Sequence, residues 1–312
     1  MIDNIDYIKN AGLYFYRGYY DNFFGTQGIL KKLKGKKDDQ LKVANNKNEI
    51  FKKLTDLSAQ KYFHVNECNT AELKVCYPGL YTGSGYTSGA GLNGEFQLGF
   101  LFDHTTGLPY LPGSSVKGAI RSIFPSKYDD IKKQESCIRF ISDEILMHFI
   151  KSENYEAYCT SNLTENFNPK DVVGKIELEI FGGRNITLEQ EREKKQPAKD
   201  RNGEKMKEEY LSVYERDIFY DAYVSKAVKD GYTKNKYLGL DYITPHKDNP
   251  LKNPVPLPFL KVLPGVNICF QFGPQEGYYL KKKGKEELFR IILTTFGIGA
   301  KTNVGYGQLS EI

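Results

Sequence analysis

The sequence predicts an α+β fold of ferredoxin-like topology, in which helices pack on an antiparallel sheet. The clearest indication lies near the end of the chain, where two strands, an amphipathic helix, a glycine-rich loop and a final strand follow one another. Further strands and two principal helices are predicted before them. Because one fold supports many activities, function has to be argued from particular residues.

In the first half of the chain, short alternating stretches predict strands, and longer periodic stretches predict helices. The elements are, in order, a helix at 49–62, strands at 73–77 and 95–102, a turn at 103–107, an extended segment at 108–113, and helices from 114 to 124 and at 136–152. The extended segment is expected because a residue before proline avoids the helical region. Ser114 or Ser115 is expected to cap the next helix, which Pro125 stops.

The second half is interrupted by a segment at 184–209 that holds eight basic and seven acidic residues and almost no large apolar ones. Such a segment cannot support a core, so an exposed charged insertion is predicted. The elements around it are strands at 175–181, 218–223, 258–263, 266–272 and 306–310, and an amphipathic helix at 284–296. Gly297 is expected to end that helix.

Composition divides the chain into two parts. Residues 1–62 form a predicted N-terminal extension, and residues 63–312 form a single predicted domain that carries the insertion. Within the extension, residues 31–53 hold nine lysines and three acids, whereas the whole chain of 312 residues has a net charge of +5. The lysine-rich segment is typical either of a solvated face or of a surface that attracts phosphates.

The composition also argues against several classes of protein. There is no run of about 18 apolar residues, so no membrane span is expected. The N-terminus lacks the basic and apolar regions of a secretory signal. The five cysteines are scattered and form no CxxC pair, which argues against structural zinc and against a disulfide framework. We therefore expect a protein of the reducing cytoplasm, without a cofactor.

The first candidate site is the helix motif at 113–121. The first turn of a helix has unpaired N–H groups and a positive dipole end, yet this one carries Lys117 and no acid, with Arg121 on the same face. A phosphate would satisfy the amides and both cations, and Gly113 and Gly118 would allow its close approach. The alternative is a plain capped helix with two solvent-exposed cations.

The second candidate site is the glycine-rich loop at 297–307. It resembles part of a Walker A loop, but Ala300 stands where that motif needs glycine, and the helix precedes the loop instead of following it. A dinucleotide site is disfavoured because no strand comes first. Glycines that expose N–H groups beside Lys301, Thr302 and Asn303 suit a polyanion backbone. A hairpin that only serves packing is the alternative.

Residues that could support catalysis are few. His104 or His246 could act with Lys117 to cleave RNA without metal, the histidine as base for the ribose 2′-hydroxyl and the lysine stabilising the phosphorane. A lone loop histidine is more often only solvated. Asp217 and Asp221 are predicted on one side of a strand, where they could hold magnesium or simply be carboxylates at a strand end.

Several stretches resemble the RAMP proteins of type III CRISPR systems. Gly99–Arg121 is similar to their signature, and Gly297–Gly307 is similar to their glycine-rich loop. Within that superfamily, Asp217–Tyr223, Asp241–His246 and Asn253–Pro256 resemble the family of sixth subunits of the type III-B Cmr complex.

The resemblance extends over about residues 77–125 and 215–310 and implies an RRM-like RAMP domain in a multisubunit ribonucleoprotein. It implies CRISPR RNA and target RNA as ligands, and other Cmr subunits, namely the backbone RAMP subunit and the first Cmr subunit, as partners. The chain is then expected to contact the CRISPR RNA near its 3′ end, to cap the backbone filament, and to bind rather than cleave. A metal-independent RAMP endoribonuclease, or another RAMP subunit such as the first, is the alternative.

The helix motif and the glycine-rich loop together supply the predicted RNA-binding residues. These are Gly113, Ser114, Ser115, Lys117, Arg121, Gly299, Lys301, Thr302, Asn303, Gly305 and Tyr306.

Overall fold

The chain folds into helices packed on an antiparallel sheet. A computed structural model describes residues 32–54, 69–83, 100–165, 167–186, 210–230, 233–243 and 257–312. The helices are α1 (Lys37–Leu54), α2 (Gly113–Arg121), α3 (Ile131–Arg139), α4 (Met147–Lys151), α5 (Tyr155–Tyr158), α6 (Ser161–Glu165), α7 (Pro169–Glu177) and α8 (Lys282–Phe296). The strands are β1 (Asn69–Val75), β2 (Leu101–Phe102), β3 (Pro109–Leu111), β4 (Ile218–Phe219), β5 (Ala222–Lys226), β6 (Val228–Asp230), β7 (Thr233–Lys236), β8 (Leu238–Ile243), β9 (Leu257–Val262), β10 (Asn267–Gly273) and β11 (Leu309–Ser310). Among the helices of these stretches, none is long and apolar enough to cross a membrane.

The main sheet has the strand order β11–β1–β10–β5–β3–β2, and β4 pairs with the end of β10. All these pairs are antiparallel, and in the centre Leu73 of β1 faces Ile268 of β10. The hairpin of β8 and β9 stands outside this sheet and turns into β10 at Pro264 and Gly265. A bridge between Leu80 and Val262 holds β9 against the segment that follows β1.

The core lies between this sheet and the helices α2 and α8. Strand β10 is buried from Asn267 to Phe272, so both faces of the sheet are covered at its centre. Helix α8 buries Leu288 and Ile292, and α2 buries Val116 and Ile120, at the spacing of one helix face. The two helices contact each other, and α8 also contacts β1 and β11.

A buried ion pair joins α8 to the residue before β4. Lys285 Nζ lies 2.8 Å from Asp217 Oδ2, and both side chains are only 2% exposed. Glu179 lies close by, and its Oε1 accepts a hydrogen bond from Tyr278 N at 2.9 Å. Within the described part of the chain, Glu179 Oε2 is buried without a hydrogen-bond partner. Burial raises the pKa of Glu179, an effect that the charge of Lys285 opposes.

The predicted turn, extended segment and last helix are confirmed. In the turn, Gly107 N donates to the Asp103 carbonyl at 2.8 Å, and β3 lies in the extended segment after it. The strands predicted at 258–263 and 266–272 correspond to β9 and β10. Helix α8 ends at Gly297, whose φ is 72°.

The strand predicted at 175–181 is wrong, because these residues continue α7 and a π-helical turn at Leu178–Gly182. Pro169 begins the helix after Asn168, a position where proline lacks only an N–H that has no helical partner. The buried residues Val172, Val173 and Ile176 follow helical spacing. The window from 175 to 181 starts inside the helix and is too short to separate the two periods.

Other predicted boundaries shift. The helix predicted at 49–62 begins at Lys37 instead, because the lysine-rich segment is itself helical, and residues 55–62 lie outside the described residues. The helix predicted at 136–152 begins at Ile131 and contains a π-helical turn at Phe140–Leu146. The strand predicted at 218–223 divides into β4 and β5, and the strand predicted at 306–310 shortens to β11.

Some predictions fall largely outside the described residues. Of the strand predicted at 95–102 the structure describes residues 100–102, and of the insertion at 184–209 it describes residues 184–186. The division into an extension at 1–62 and a domain at 63–312 stays a prediction.

The predicted serine cap of α2 is also wrong. Pro112 occupies the N-cap position, and it has no side-chain hydrogen bond to the helix. An acid is nevertheless present there, since Gly113 N donates to Asp221 Oδ1 at 2.7 Å. The carboxylate that the helix dipole favours therefore comes from the segment between β4 and β5.

Candidate nucleic-acid interface

The predicted RNA-binding residues fall into two groups, which we call the helix cluster and the loop cluster. The helix cluster comprises Gly113, Ser114, Ser115, Lys117 and Arg121. The loop cluster comprises Gly299, Lys301, Thr302, Asn303, Gly305 and Tyr306. Among the described residues, no hydrogen bond or ion pair of the helix cluster reaches the loop cluster, so the structure presents two candidate surfaces.

In the helix cluster, Gly113 is buried by packing. A Cβ at this position would lie 2.1 Å from the carbonyl oxygen of Phe219. No Cβ atom tolerates such a distance, so glycine is required for the helix to start against β4. By contrast, Gly118 has nothing within 4 Å of a Cβ and faces open space. Gly113 thus has a structural role, whether or not RNA approaches it.

The two cations of the helix cluster already have partners in the chain. Lys117 Nζ lies 5.9 Å from the centre of the Phe219 ring. Arg121 Nε donates to Glu177 Oε1 at 2.8 Å, and its guanidinium lies 6.0 Å from the Phe181 ring centre. The Arg121 side chain remains 55% exposed, so an anion could reach it in competition with Glu177.

A surface groove opens beside Arg121. Its volume is about 630 Å³, and charges of both signs line it: Arg121, Lys127, Lys133, Asp129 and Glu177. Lys133 Nζ lies 2.6 Å from Asp129 Oδ1 across a helical turn. Because both acids and bases line it, the groove is a weaker site for a polyanion than a wholly basic one.

The loop cluster has a backbone fixed by contacts to the segment after β1. Ala300 N donates to the Tyr81 carbonyl at 2.7 Å, and Gly307 N donates to the Gly79 carbonyl at 2.8 Å. Ile298 N closes the loop by donating to the Gly307 carbonyl at 2.9 Å. These hydrogen bonds hold the loop against the segment at 79–81, so its shape is set before any ligand binds.

Three residues of the loop cluster, Gly299, Lys301 and Gly305, have a positive φ. Gly299 and Gly305 have φ values of 102° and 94°, in the region that favours glycine. A Cβ on Gly299 would lie 2.5 Å from the Tyr81 carbonyl oxygen. Lys301 also has a positive φ, of 60°, which is uncommon for a residue with a side chain. Its side chain and that of Asn303 are exposed, and that of Thr302 is half-buried.

Tyr306 is held by internal contacts. Its hydroxyl donates to Asp241 Oδ2 at 2.8 Å, and Lys261 Nζ donates to the same oxygen at 2.6 Å. Its ring meets Phe259 edge to face, with centroids 5.7 Å apart. The pKa of Tyr306 is raised to about 12, mainly by burial and by the hydrogen bond to Asp241. Electrostatic effects of Asp241 and of Tyr77 add to this shift. Tyr306 therefore has a role in anchoring the loop to β8.

The candidate catalytic residues that the structure describes lie on different elements. His104 is exposed in the turn after β2, and His246 lies outside the described residues. Asp217 is paired with Lys285, and Asp221 accepts from Gly113 N. Within the residues that the structure describes, no cluster of histidine, cysteine and carboxylate side chains could hold a metal ion.

Sequence reasoning did not single out Tyr77, Asp241 and Lys261 as side chains beside the loop cluster. Asp241 and Lys261 belong to the β8–β9 hairpin, and their link to Tyr306 depends on a contact over 65 residues of sequence. Tyr77 follows β1, and it is 84% exposed. No pattern in the sequence marks this tyrosine as exposed, because most tyrosines lie in cores.

Comparisons with known proteins agree with the resemblance. A family model described as the RAMP superfamily matches residues 72–310. The chain is 24% identical over 250 residues to the CRISPR system Cmr subunit Cmr6 of Pyrococcus furiosus. That match covers 72% of this chain and 64% of the relative, so the chain spans less than two thirds of the length of this curated relative. The predicted resemblance to RAMP proteins and to Cmr6 is confirmed.

Two solved structures are also similar to the chain. One is the cryo-EM structure of the type III-B Cmr-beta bound to cognate target RNA, with 16% identity, a TM-score of 0.40, and coverage of 94% of this chain and 78% of that one. The other is the crystal structure of Cmr6 from Pyrococcus furiosus, with 19% identity, a TM-score of 0.40, and coverage of 80% of this chain and 100% of that one.

Proposed function

The chain belongs to the RAMP superfamily, and from that premise we propose that it is a non-catalytic RNA-binding subunit of a type III-B CRISPR ribonucleoprotein. The loop cluster carries this proposal. Lys301 and Asn303 are exposed on a loop whose backbone is bonded to Gly79 and Tyr81. A preformed loop that presents a cation and an amide suits a phosphate backbone, because little conformational entropy is lost on binding.

In this proposal the chain acts as the sixth Cmr subunit does, in the cytoplasm. Its ligands are CRISPR RNA, which it contacts near the 3′ end, and target RNA. Its partners are the backbone RAMP subunit, whose filament it caps, and the first Cmr subunit. The name of the curated relative, a Cmr subunit, supports this assignment.

The proposal extends to the fold, in which β1, α2, β5, β10, α8 and β11 form a ferredoxin-like unit. This topology consists of two βαβ halves folded into one antiparallel sheet. The order β11–β1–β10–β5 places the last strand of the unit beside the first, and the third between the first and the second. That arrangement, with α2 and α8 as the two helices, supports the assignment.

A non-catalytic role is supported by the surroundings of the candidate catalytic groups. Lys117 lies over the Phe219 ring, and His104 is an exposed residue on a separate turn. A general base has to lie within hydrogen-bond reach of the proton it removes, with a second group to stabilise the developing charge. The position of Lys117 Nζ over the Phe219 ring, 5.9 Å from its centre, supports a role in binding.

The decisive experiment replaces the exposed loop residues and measures RNA binding beside thermal unfolding. Lys301→Gly is preferable to Lys301→Ala, because glycine removes the cation and also suits the positive φ. With Asn303→Ala, we expect weaker RNA retention, an unchanged melting temperature, and a salt slope reduced by about 0.7 for each lost phosphate contact. Lys282→Ala, an exposed lysine at the other end of α8, is the matched charge control.

Two outcomes would contradict the proposal. A large loss of stability with normal RNA binding would show that the loop is only a structural turn. Loss of target-RNA cutting by a fully assembled complex that carries His104→Ala and His246→Ala would favour the endoribonuclease alternative.

A further inference from the structure

An exposed tyrosine, Tyr77, lies beside the loop cluster, two residues after the end of β1. Tyr77 is 84% exposed, although aromatic rings are usually buried because they have large apolar surfaces. Among the described residues it is one of three tyrosines more than four-fifths exposed, the others being Tyr128 and Tyr214. Of these three, Tyr77 is the one next to the glycine-rich loop.

Several contacts place Tyr77 against that loop. The next residue, Pro78, has its Cδ 3.4 Å from the position of a Cβ on Gly305. Two residues further on, the Gly79 carbonyl accepts the hydrogen bond from Gly307 N. Tyr77 is also close enough to contribute to the raised pKa of Tyr306, after the larger effects of burial and of Asp241.

The neighbouring aromatic side chain, Tyr306, makes its contacts within the protein. Tyr306 is fixed by its hydrogen bond to Asp241 and by its edge-to-face contact with Phe259. Lys261 Nζ lies 6.0 Å from the centre of the Tyr306 ring. Among the described residues, Tyr77 therefore offers an exposed aromatic ring on the side of the loop where Pro78 meets Gly305.

We propose that Tyr77 stacks on a base of single-stranded RNA whose phosphate is held by Lys301 and Asn303. This inference rests on the proposed function and names a second, chemically different contact for the same ligand. Aromatic side chains stack on any base, and RNA-binding proteins combine such stacking with cations that follow the backbone. An RNA ligand is favoured over a protein one because the loop beside Tyr77 presents a cation and an amide, which pair with phosphates but not with an apolar surface.

The experiment uses the 312-residue chain and single-stranded RNAs in which 2-aminopurine replaces one base at a time. The fluorescence of 2-aminopurine is quenched by stacking, and the chain has no tryptophan to interfere. Tyr77→Leu removes the ring and keeps an apolar side chain, and Tyr77→Phe keeps the ring. Tyr214→Leu is the matched control, because Tyr214 is 91% exposed on the separate turn Val213–Glu215.

We expect wild type, Tyr77→Phe and Tyr214→Leu to quench one or two positions, and Tyr77→Leu to lose that quenching with an unchanged melting temperature. Loss of one stacked base should weaken RNA binding about 5- to 150-fold, while the salt slope stays constant. By contrast, Lys301→Gly should lower the salt slope and preserve quenching in the bound state. Quenching therefore tests the stacking of Tyr77, and the salt slope tests the phosphate contact of Lys301. Either proposal can be contradicted without the other.

The stacking proposal is overturned if wild type quenches no position, or if Tyr77→Leu quenches as wild type does. Loss of co-purifying Cmr subunits by Tyr77→Leu with intact quenching would also overturn it, and would assign Tyr77 to a protein interface.

Discussion

Arg121 is shared between an internal partner and any anion that arrives from solvent. The ion pair between Arg121 and Glu177 is short, but the Arg121 side chain is more than half exposed. Exposed ion pairs contribute little to stability. A phosphate that binds Arg121 through its Nη groups shares the guanidinium with Glu177, and the two anions repel each other. This acid therefore weakens the helix cluster as an RNA site.

We predict that Glu177→Gln strengthens RNA binding. The amide no longer competes for the guanidinium, so affinity should rise about 1.4- to 5-fold, the equivalent of an exposed ion pair. Filter binding at several salt concentrations measures the change, with Glu276→Gln, an exposed carboxylate elsewhere, as control. Equal effects of the two substitutions would mean that only net charge matters, and that Arg121 does not bind RNA.

At the level of residues, local motifs were predictable and long-range partners were not. The glycine-rich motif correctly indicated a loop at 297–307, in which Gly299 and Gly305 have a positive φ. The acid that completes the start of α2 could not be predicted, because Asp221 is 108 residues from Gly113 in sequence. A sequence motif reflects contacts between residues that are close in sequence. It does not show which distant segments meet in the fold.

The start of helix α2 packs closely against the end of strand β4. Gly113 allows the helix to start in contact with the Phe219 carbonyl, and Asp221 accepts its N–H. The second glycine of the same helix, Gly118, has no such constraint. The two glycines of one element therefore offer a matched comparison.

We predict opposite effects of alanine at these two positions. Gly113→Ala should lower the free energy of unfolding by at least about 1–3 kcal/mol, because a Cβ overlaps the Phe219 carbonyl. Gly118→Ala should raise it by about 0.5–1 kcal/mol, because alanine loses less backbone entropy in an exposed helix. Urea unfolding of both variants measures these values, and a neutral Gly113→Ala would show that α2 can move away from β4.

Among the elements, length and amphipathic pattern decided which ones were predictable. Helix α8 has 15 residues with one apolar face, and it was predicted almost to its ends. The segment at 175–181 was misassigned because it covers only the end of α7, where three or four apolar residues fit either period. Strands β2 and β11 have two residues each. They are defined by hydrogen bonds to neighbouring strands, because two residues are too few to show an alternating hydrophobic pattern.

At the scale of the whole molecule, the buried charges make stability depend on pH. Lys285 is committed to Asp217, which leaves Glu179 Oε2 without a hydrogen-bond partner in the described structure. Because burial raises the pKa of Glu179 above its ordinary value of 4.5, the folded chain binds this proton more tightly than the unfolded chain. The contribution of Glu179 is therefore fully present below pH 4.5 and is lost as pH rises through its folded pKa.

We predict that Glu179→Gln stabilises the protein more at about pH 8 than at about pH 5, because the amide is neutral at both. The Tyr278 N–H keeps its acceptor in this variant, since Oε1 remains. Melting temperatures across this range, with Glu276→Gln as an exposed control, measure the effect. If Glu179→Gln were instead most destabilising at the higher pH, the charged carboxylate would be the favourable form.

Strand β11 closes one side of the main sheet, and it pairs with β1 through only two residues. A long, flat outer strand would offer a neighbour a row of free backbone donors and acceptors, and so invite β-augmentation or aggregation. With two residues, β11 is itself too short to act as such a template. A molecule that attaches at β11 therefore has to be recognised through side chains. Its affinity can therefore be tuned by single substitutions, in evolution or in the laboratory, while the hydrogen-bonded framework behind it stays the same.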